Sequence, residues 1–254
     1  MAPRPQRFKS SESQGVPRPT TTSSSGAPTA TPARPPKNFG MILYRAFEPL
    51  DVYGPLSALG SLARSYQMNL ALITETMEPV TLRPVSAAMN PLNSSFFSEF
   101  LPTHTYETAP KDLEVLIIPG GLYTRSPYLN STIDYVKRTY PSLRYLITVC
   151  TGASVAARAG VLDGRRATTN KAAWADTIRH GPNVEWVPKA RWVVDGNVWT
   201  SSGVSAGIDA TLDFISQVYG AQIAKDIGIA MEYDWHTDPS WDPFADLYNL
   251  TSTA

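Results

Sequence analysis

LRYLITVCTGASVAA, residues 143–157, is an apolar run that reaches Cys150, the only cysteine of the chain, and passes at once into small residues suited to a helix. Such a run is what a fully buried strand requires. The thiol is thereby placed at a strand-to-helix turn, where N-terminal N–H groups and the helix dipole favour negative charge. This placement predicts a lowered thiol pKa and an exposed nucleophile. The competing reading is a buried cysteine that packs as a small hydrophobe. The rest of the chain decides between them.

Outward from this stretch, strand and helix patterns alternate. Leu113 to Pro119 is the clearest buried strand and ends at Gly120-Gly121. Phe39 to Tyr44 and Gln67 to Thr74 read as two further strands. Between them Leu50, Leu56 and Leu59 stand at helical spacings, with Gly54-Pro55 as a second candidate for the helix start, so the opening is a β-α-β unit. Tyr128 to Tyr140 carries an apolar helical stripe closed by Pro141. After the cysteine, 166–169 reads as a short strand and 172–179 as a helix. Asp195-Gly196 marks a hairpin, and helices are expected over 207–219 and 221–233. Residues 77–110 show little regularity beyond a hairpin arm at Val80 to Val85. The alternation predicts an α/β fold, a mostly parallel sheet with helices on both faces.

Composition sets the bounds. The chain has 254 residues, and its 22 Lys plus Arg balance 22 Asp plus Glu. No net field attracts nucleic acid or an anionic membrane, and neither is expected as a partner. One cysteine cannot close an intrachain disulfide, which suits a reducing, cytoplasmic setting. No apolar run approaches the roughly 20 residues that span a bilayer. Residues 1–37 are rich in Pro, Ser, Thr, Ala and Arg, with Glu12 the only acid, and are expected to form a disordered tail. The prolines oppose the amphipathic helix of a transit peptide. The ordered domain is expected over 38–234. An aromatic extension over 235–254 is expected to clamp onto the domain or across a dimer.

In an open parallel sheet, ligands collect at the carboxyl ends of strands. Asp51 after the first strand, Gly120-Gly121 and Cys150 all fall there. Glycines let backbone N–H groups approach a substrate closely, and with the N–H of Thr151 they are expected to stabilise negative charge beside the sulfur. Asp51 is placed to exchange a proton with the thiol or the substrate.

The segments ILYRAFEPLDVYGP, VLIIPGG, ITVCTGA, GRRATTN and VVDGNVWTSSGVSAGID, with the ending AMEY, resemble the ThiJ/PfpI superfamily of class I glutamine-amidotransferase-like, flavodoxin-like folds. The resemblance covers residues 39 to about 234 and is nearest to the isonitrile hydratase branch. It implies Cys150 as nucleophile, Asp51 as its acidic partner and Thr151 as the accompanying hydroxyl. Gly121, with Gly120, matches the backbone anion-binding turn, and Glu48 is a rival acid. Relatives often carry a histidine followed by an aromatic residue after ATT, but this chain has Asn170 and Lys171. A Cys-His dyad from that position is absent, which places peptidase chemistry last. His104, His180 and His236 fit no motif, and His236 is of interest only if the C-terminal segment folds over the site.

No metal or other cofactor is expected. The resemblance implies a homodimer that acts on a small molecule. It points to hydration of an isonitrile to an N-substituted formamide, with hydration of a 2-oxoaldehyde or a non-catalytic redox-sensing thiol as alternatives.

Overall fold

Eleven strands and seven helices form among residues 34–250, the residues that the computed structural model describes. Most of the predicted tail, residues 1–33, lies outside them, as do residues 251–254. The strands are β1 (Asn38–Ile42), β2 (Asn69–Thr74), β3 (Val80–Thr81), β4 (Glu99–Phe100), β5 (His104–Thr105), β6 (Val115–Ile118), β7 (Tyr145–Thr148), β8 (Arg166–Ala167), β9 (Glu185–Trp186), β10 (Trp192–Asp195) and β11 (Val198–Ser201). The helices are α1 (Pro49–Leu62), α2 (Asn130–Thr139), α3 (Gly152–Arg158), α4 (Trp174–Ile178), α5 (Ala206–Val218), α6 (Ala221–Ala230) and α7 (Pro243–Leu247).

Seven strands make the main sheet in the order β10-β11-β7-β6-β1-β2-β5. Every pairing is parallel except that of β10 with β11, the hairpin expected at Asp195-Gly196. Each residue of β1 and β6 is buried, as central strands covered on both faces must be. From β1 the chain steps through α1 to β2, and from β6 it steps through α2 to β7 in the opposite direction. Right-handed crossovers therefore put α1 and α2 on opposite faces of the sheet. Helices α5 and α6 pack with α1, and α3 packs with α2. Phe214 of α5 anchors that helix to the sheet, meeting Phe39, Tyr145 and Trp199 edge-on.

Because the direction of winding reverses between β1 and β6, a crevice opens at their carboxyl ends. Register aligns the neighbouring ends, with Met41 opposite Ile117 and Ile118 opposite Thr148.

Three local expectations change. Helix α1 starts at Pro49, not at Gly54-Pro55, and continues through Pro55. Pro49 takes the first helical position, where a missing N–H costs nothing, and Glu48 caps it by accepting from the N–H of Leu50. Strand β8 stays outside the main sheet and pairs with β9. The arm at Val80 to Val85 contributes only β3, which pairs with β4. Between those two strands the chain makes a long loop that leaves Phe96 98 % exposed.

Candidate active site

Cys150 sits just past β7 with φ 57°, the left-handed region that side chains other than glycine rarely adopt. Two hydrogen bonds from distant segments hold it there. Its N–H donates to Ser202 O at 2.9 Å, and its carbonyl accepts from Thr169 Oγ1 at 2.8 Å. A strained residue persists only when its surroundings over-determine it in this way. The consequence is a sulfur turned out of the strand direction and into a cleft.

The turns beside it fit too closely for side chains. A Cβ on Gly152 would lie 2.3 Å from Ile118 O, and one on Gly120 would lie 2.6 Å from Thr151 N and 2.8 Å from Asp51 Oδ2. Gly121 has φ 139°, and a Cβ there would meet Ala46 O at 2.4 Å. The loop after β6 can thus lie directly against both the elbow and the start of α1.

Asp51 occupies the first turn of α1 and is 0 % exposed. Its Oδ2 accepts from the N–H of Gly120 at 2.8 Å, whereas Oδ1 is buried without a hydrogen-bond partner. Burial, opposed by the Gly120 bond, reinforced by Glu48 and opposed again by Cys150, raises its pKa to about 7. Cys150 is 6 % exposed, and its thiol is pushed well above the usual range, first by burial and then by Asp51. Thr151 and Asn170, next to the thiol, oppose that rise. The lowered thiol pKa expected from the strand-to-helix turn is therefore reversed. The backbone of Thr151, the cap of α3, opposes the rise, and burial beside a carboxyl outweighs it. The proton rests on sulfur, next to a carboxyl that is half ionised near neutral pH.

The expected backbone anion site is also corrected. The N–H of Gly120 is committed to Asp51, and that of Gly121 donates to Thr151 Oγ1 at 3.0 Å. Neither is free for a substrate. Thr151 Oγ1 also accepts from Thr124 Oγ1 at 3.0 Å, so its hydroxyl is oriented from two sides.

Asn170 lines the cleft together with Cys150. Its Oδ1 accepts from the N–H of Ala173 at 3.0 Å, which turns the Nδ2 end of the amide away from that backbone. Beside it Lys171 is buried, with Nζ donating to Thr168 Oγ1, Thr169 O and Ala190 O, and paired with Asp242 at 3.2 Å. The C-terminal segment thus pins the Asn170 loop through Asp242. His236 belongs to that segment but not to the cleft. Its ring stacks on Trp241, and its backbone N–H donates to Asp209.

Glu48, Gly121, Cys150, Thr151 and Asn170 share the wall of a cleft of about 490 Å³, while Asp51 and Gly120 stand behind it. Phe47, Leu82, Phe96, Phe97 and Val204 make the remaining wall largely apolar. Among the described residues no cluster of His, Cys, Asp and Glu stands ready for a metal ion, and no helix is long and apolar enough to cross a membrane.

A sequence profile of the DJ-1/PfpI family matches residues 41–217. The chain belongs to the DJ-1/PfpI family. Within this family it is 33 % identical over 199 residues to the isonitrile hydratase of Pseudomonas putida, covering 76 % of this chain and 77 % of that one. It is also 33 % identical over 97 residues to the deglycase PfpI of Pyrococcus furiosus, covering 38 % of this chain and 56 % of that one. A ThiJ/PfpI family protein from Pseudomonas syringae superposes with a TM-score of 0.66 at 26 % identity, over 88 % and 86 % of the two chains. The DJ-1/PfpI family thus includes enzymes of more than one activity.

The sequence reading missed three groups around this family site: Tyr44, Thr124, and the pair Lys171 with Asp242. Tyr44 ends the first apolar run and Thr124 follows the glycine pair. Their positions were visible, but their partners lie far along the chain.

Proposed function

We propose that the protein hydrates an isonitrile to an N-substituted formamide. What carries the reading is the pairing of Cys150 with a buried carboxyl, Asp51, where the thiol keeps its proton beside a carboxyl that ionises near neutral pH and Asn170 stands where relatives often carry a histidine. The 33 % identity to an isonitrile hydratase over most of both chains supports it. A cleft of about 490 Å³ falls in the usual range for small-molecule sites, and its apolar wall suits the organic substituent of such a substrate.

In the proposed sequence the Cys150 sulfur bonds to the terminal isonitrile carbon as Asp51 takes the thiol proton and passes it to that same carbon, giving a thioimidate. Water then adds across the carbon–nitrogen double bond. Asp51 removes one proton from the water, its oxygen joins the carbon, and the nitrogen gains the proton. Collapse of the adduct breaks the carbon–sulfur bond, releases the formamide and returns the hydroxyl proton to sulfur through Asp51. Thr151 and Asn170 orient the sulfur and its adducts. No co-reactant besides water is consumed.

Proton NMR of purified protein with a simple alkyl isonitrile should show the formyl proton of the product, and Cys150→Ala should abolish it. Turnover that survives in Cys150→Ala overturns the mechanism. A second reading, hydration of a 2-oxoaldehyde to a hydroxy acid, is favoured by one observation, that Glu48 rather than Asp51 faces the open cleft. Lactate formed from methylglyoxal without isonitrile turnover would replace the first reading with the second. A reversible redox sensor fits less well, because a protonated thiol is a poor target for oxidation. We also propose a homodimer, which light scattering in solution checks.

A further inference from the structure

Tyr44 follows β1 and is buried, with its hydroxyl donating to the carbonyl of Pro119. That carbonyl and the N–H of Gly120 are the two ends of one peptide group, and the N–H donates to Asp51 Oδ2 at 2.8 Å. The peptide is wedged from the other side as well, since a Cβ on Gly152 would lie 2.7 Å from Pro119 O. We infer that Tyr44 is a positioning residue for Asp51, acting through the single peptide that joins Pro119 to Gly120. The inference rests on Asp51 as the acid–base group of the proposed reaction.

The physical basis is cooperativity along a hydrogen-bond chain. A donor on a peptide carbonyl draws electron density toward oxygen and makes the N–H of the same peptide a stronger donor, by roughly 10–30 % per bond. The stronger N–H favours the carboxylate over the carboxylic acid at Asp51. Tyr44 is suited to the task because burial, then Asp51, then Cys150 hold its phenol protonated, so it keeps the proton that it donates. The charged and titratable groups around the chain are few. Glu48 and Cys150 influence Asp51, and Tyr106 influences Tyr44. Arg45, Glu75 and Glu78 share with Tyr44 the lining of a separate cavity of about 220 Å³.

The test uses the single cysteine as its own reporter. Alkylation of Cys150 by iodoacetamide, followed against pH, should show a lower inflection near 7 in the wild type, where Asp51 ionises. Tyr44→Phe should move that inflection upward by a few tenths of a pH unit. In an Asp51→Asn background the inflection should be absent, and Tyr44→Phe should add nothing. Replacement of Tyr44 by 3-fluorotyrosine, a more acidic phenol and stronger donor, should move it downward, and this variant carries the test if Tyr44→Phe does not fold. An inflection that coincides with the wild type in the variants, or a shift that persists without Asp51, overturns the inference. The readout needs no isonitrile. A protein that fails to turn over isonitriles but shows the opposite shifts refutes the proposed reaction and keeps the role of Tyr44.

Discussion

The carboxyl of Asp51 is held where its own charge is costly, and the cost has a sign that can be followed with pH. In the unfolded chain it titrates near 3.8, and in the folded protein near 7. Between those values the folded state binds more protons than the unfolded one, so this group makes stability fall as pH rises from about 4 to 7. Asp51→Asn keeps an acceptor for the Gly120 N–H but removes the charge. Thermal unfolding at pH 8 should show the variant more stable by on the order of 4 kcal/mol, a gain that narrows as pH falls toward 4, while formamide production is lost. Asn170→Ala should slow alkylation of Cys150 at pH 8, because Asn170 opposes the upward shift of the thiol and its loss leaves less thiolate. Cys150, Asp51, Glu48 and Asn170 were all legible as residues, because each stands at a strand end or in a recognisable motif. The thiol pKa was not legible, since helix position can be read from a sequence but burial against a particular carboxyl cannot. The same holds for the glycine N–H groups, whose partners, Asp51 and Thr151, only the fold reveals.

Helix α3 shows how an element is fitted to its site. It begins with Gly152, although alanine is the better helix former, because the helix must start against the backbone of Ile118 and Pro119. Gly152→Ala gains helix propensity and loses that fit. A Cβ 2.3 Å from a carbonyl oxygen forces the elbow away, and chemical denaturation should record a loss of about 1–3 kcal/mol. Activity should fall as well, since the displaced residue stands two positions from Cys150. The elements themselves were largely legible. Central parallel strands such as β6 and β7 are nearly continuous apolar runs, and α2 and α5 show their buried stripes directly. The start of α1 was less so, because Pro49 and Pro55 both carry the signal of a first helical position and only Glu48, by capping the helix, selects between them.

At the scale of the molecule, the C-terminal segment and the domain are joined through charges almost closed to solvent. Lys171 and Asp242 have side chains only 1 % exposed, and burial lowers the Lys171 pKa to about 8 despite its partner. Asp242→Ala would strand the ammonium and should cost about 3–5 kcal/mol, a drop of roughly 10 °C or more in Tm by calorimetry. Lys171→Met combined with Asp242→Leu should recover most of that loss, because a packed apolar pair replaces the buried ions. The aromatic character of residues 235–244 announced a packed segment, yet nothing in the sequence tied Asp242 to Lys171. Their union also sets an order of events during synthesis. The strands, Cys150 and Asn170 leave the ribosome before Asp242 does, and folding begins on the earlier part. Until Asp242 arrives, Lys171 lacks that counter-charge. The nascent chain therefore passes through a stage in which a lysine destined for burial has no counter-charge, and release or cleavage ahead of residue 242 would leave it there.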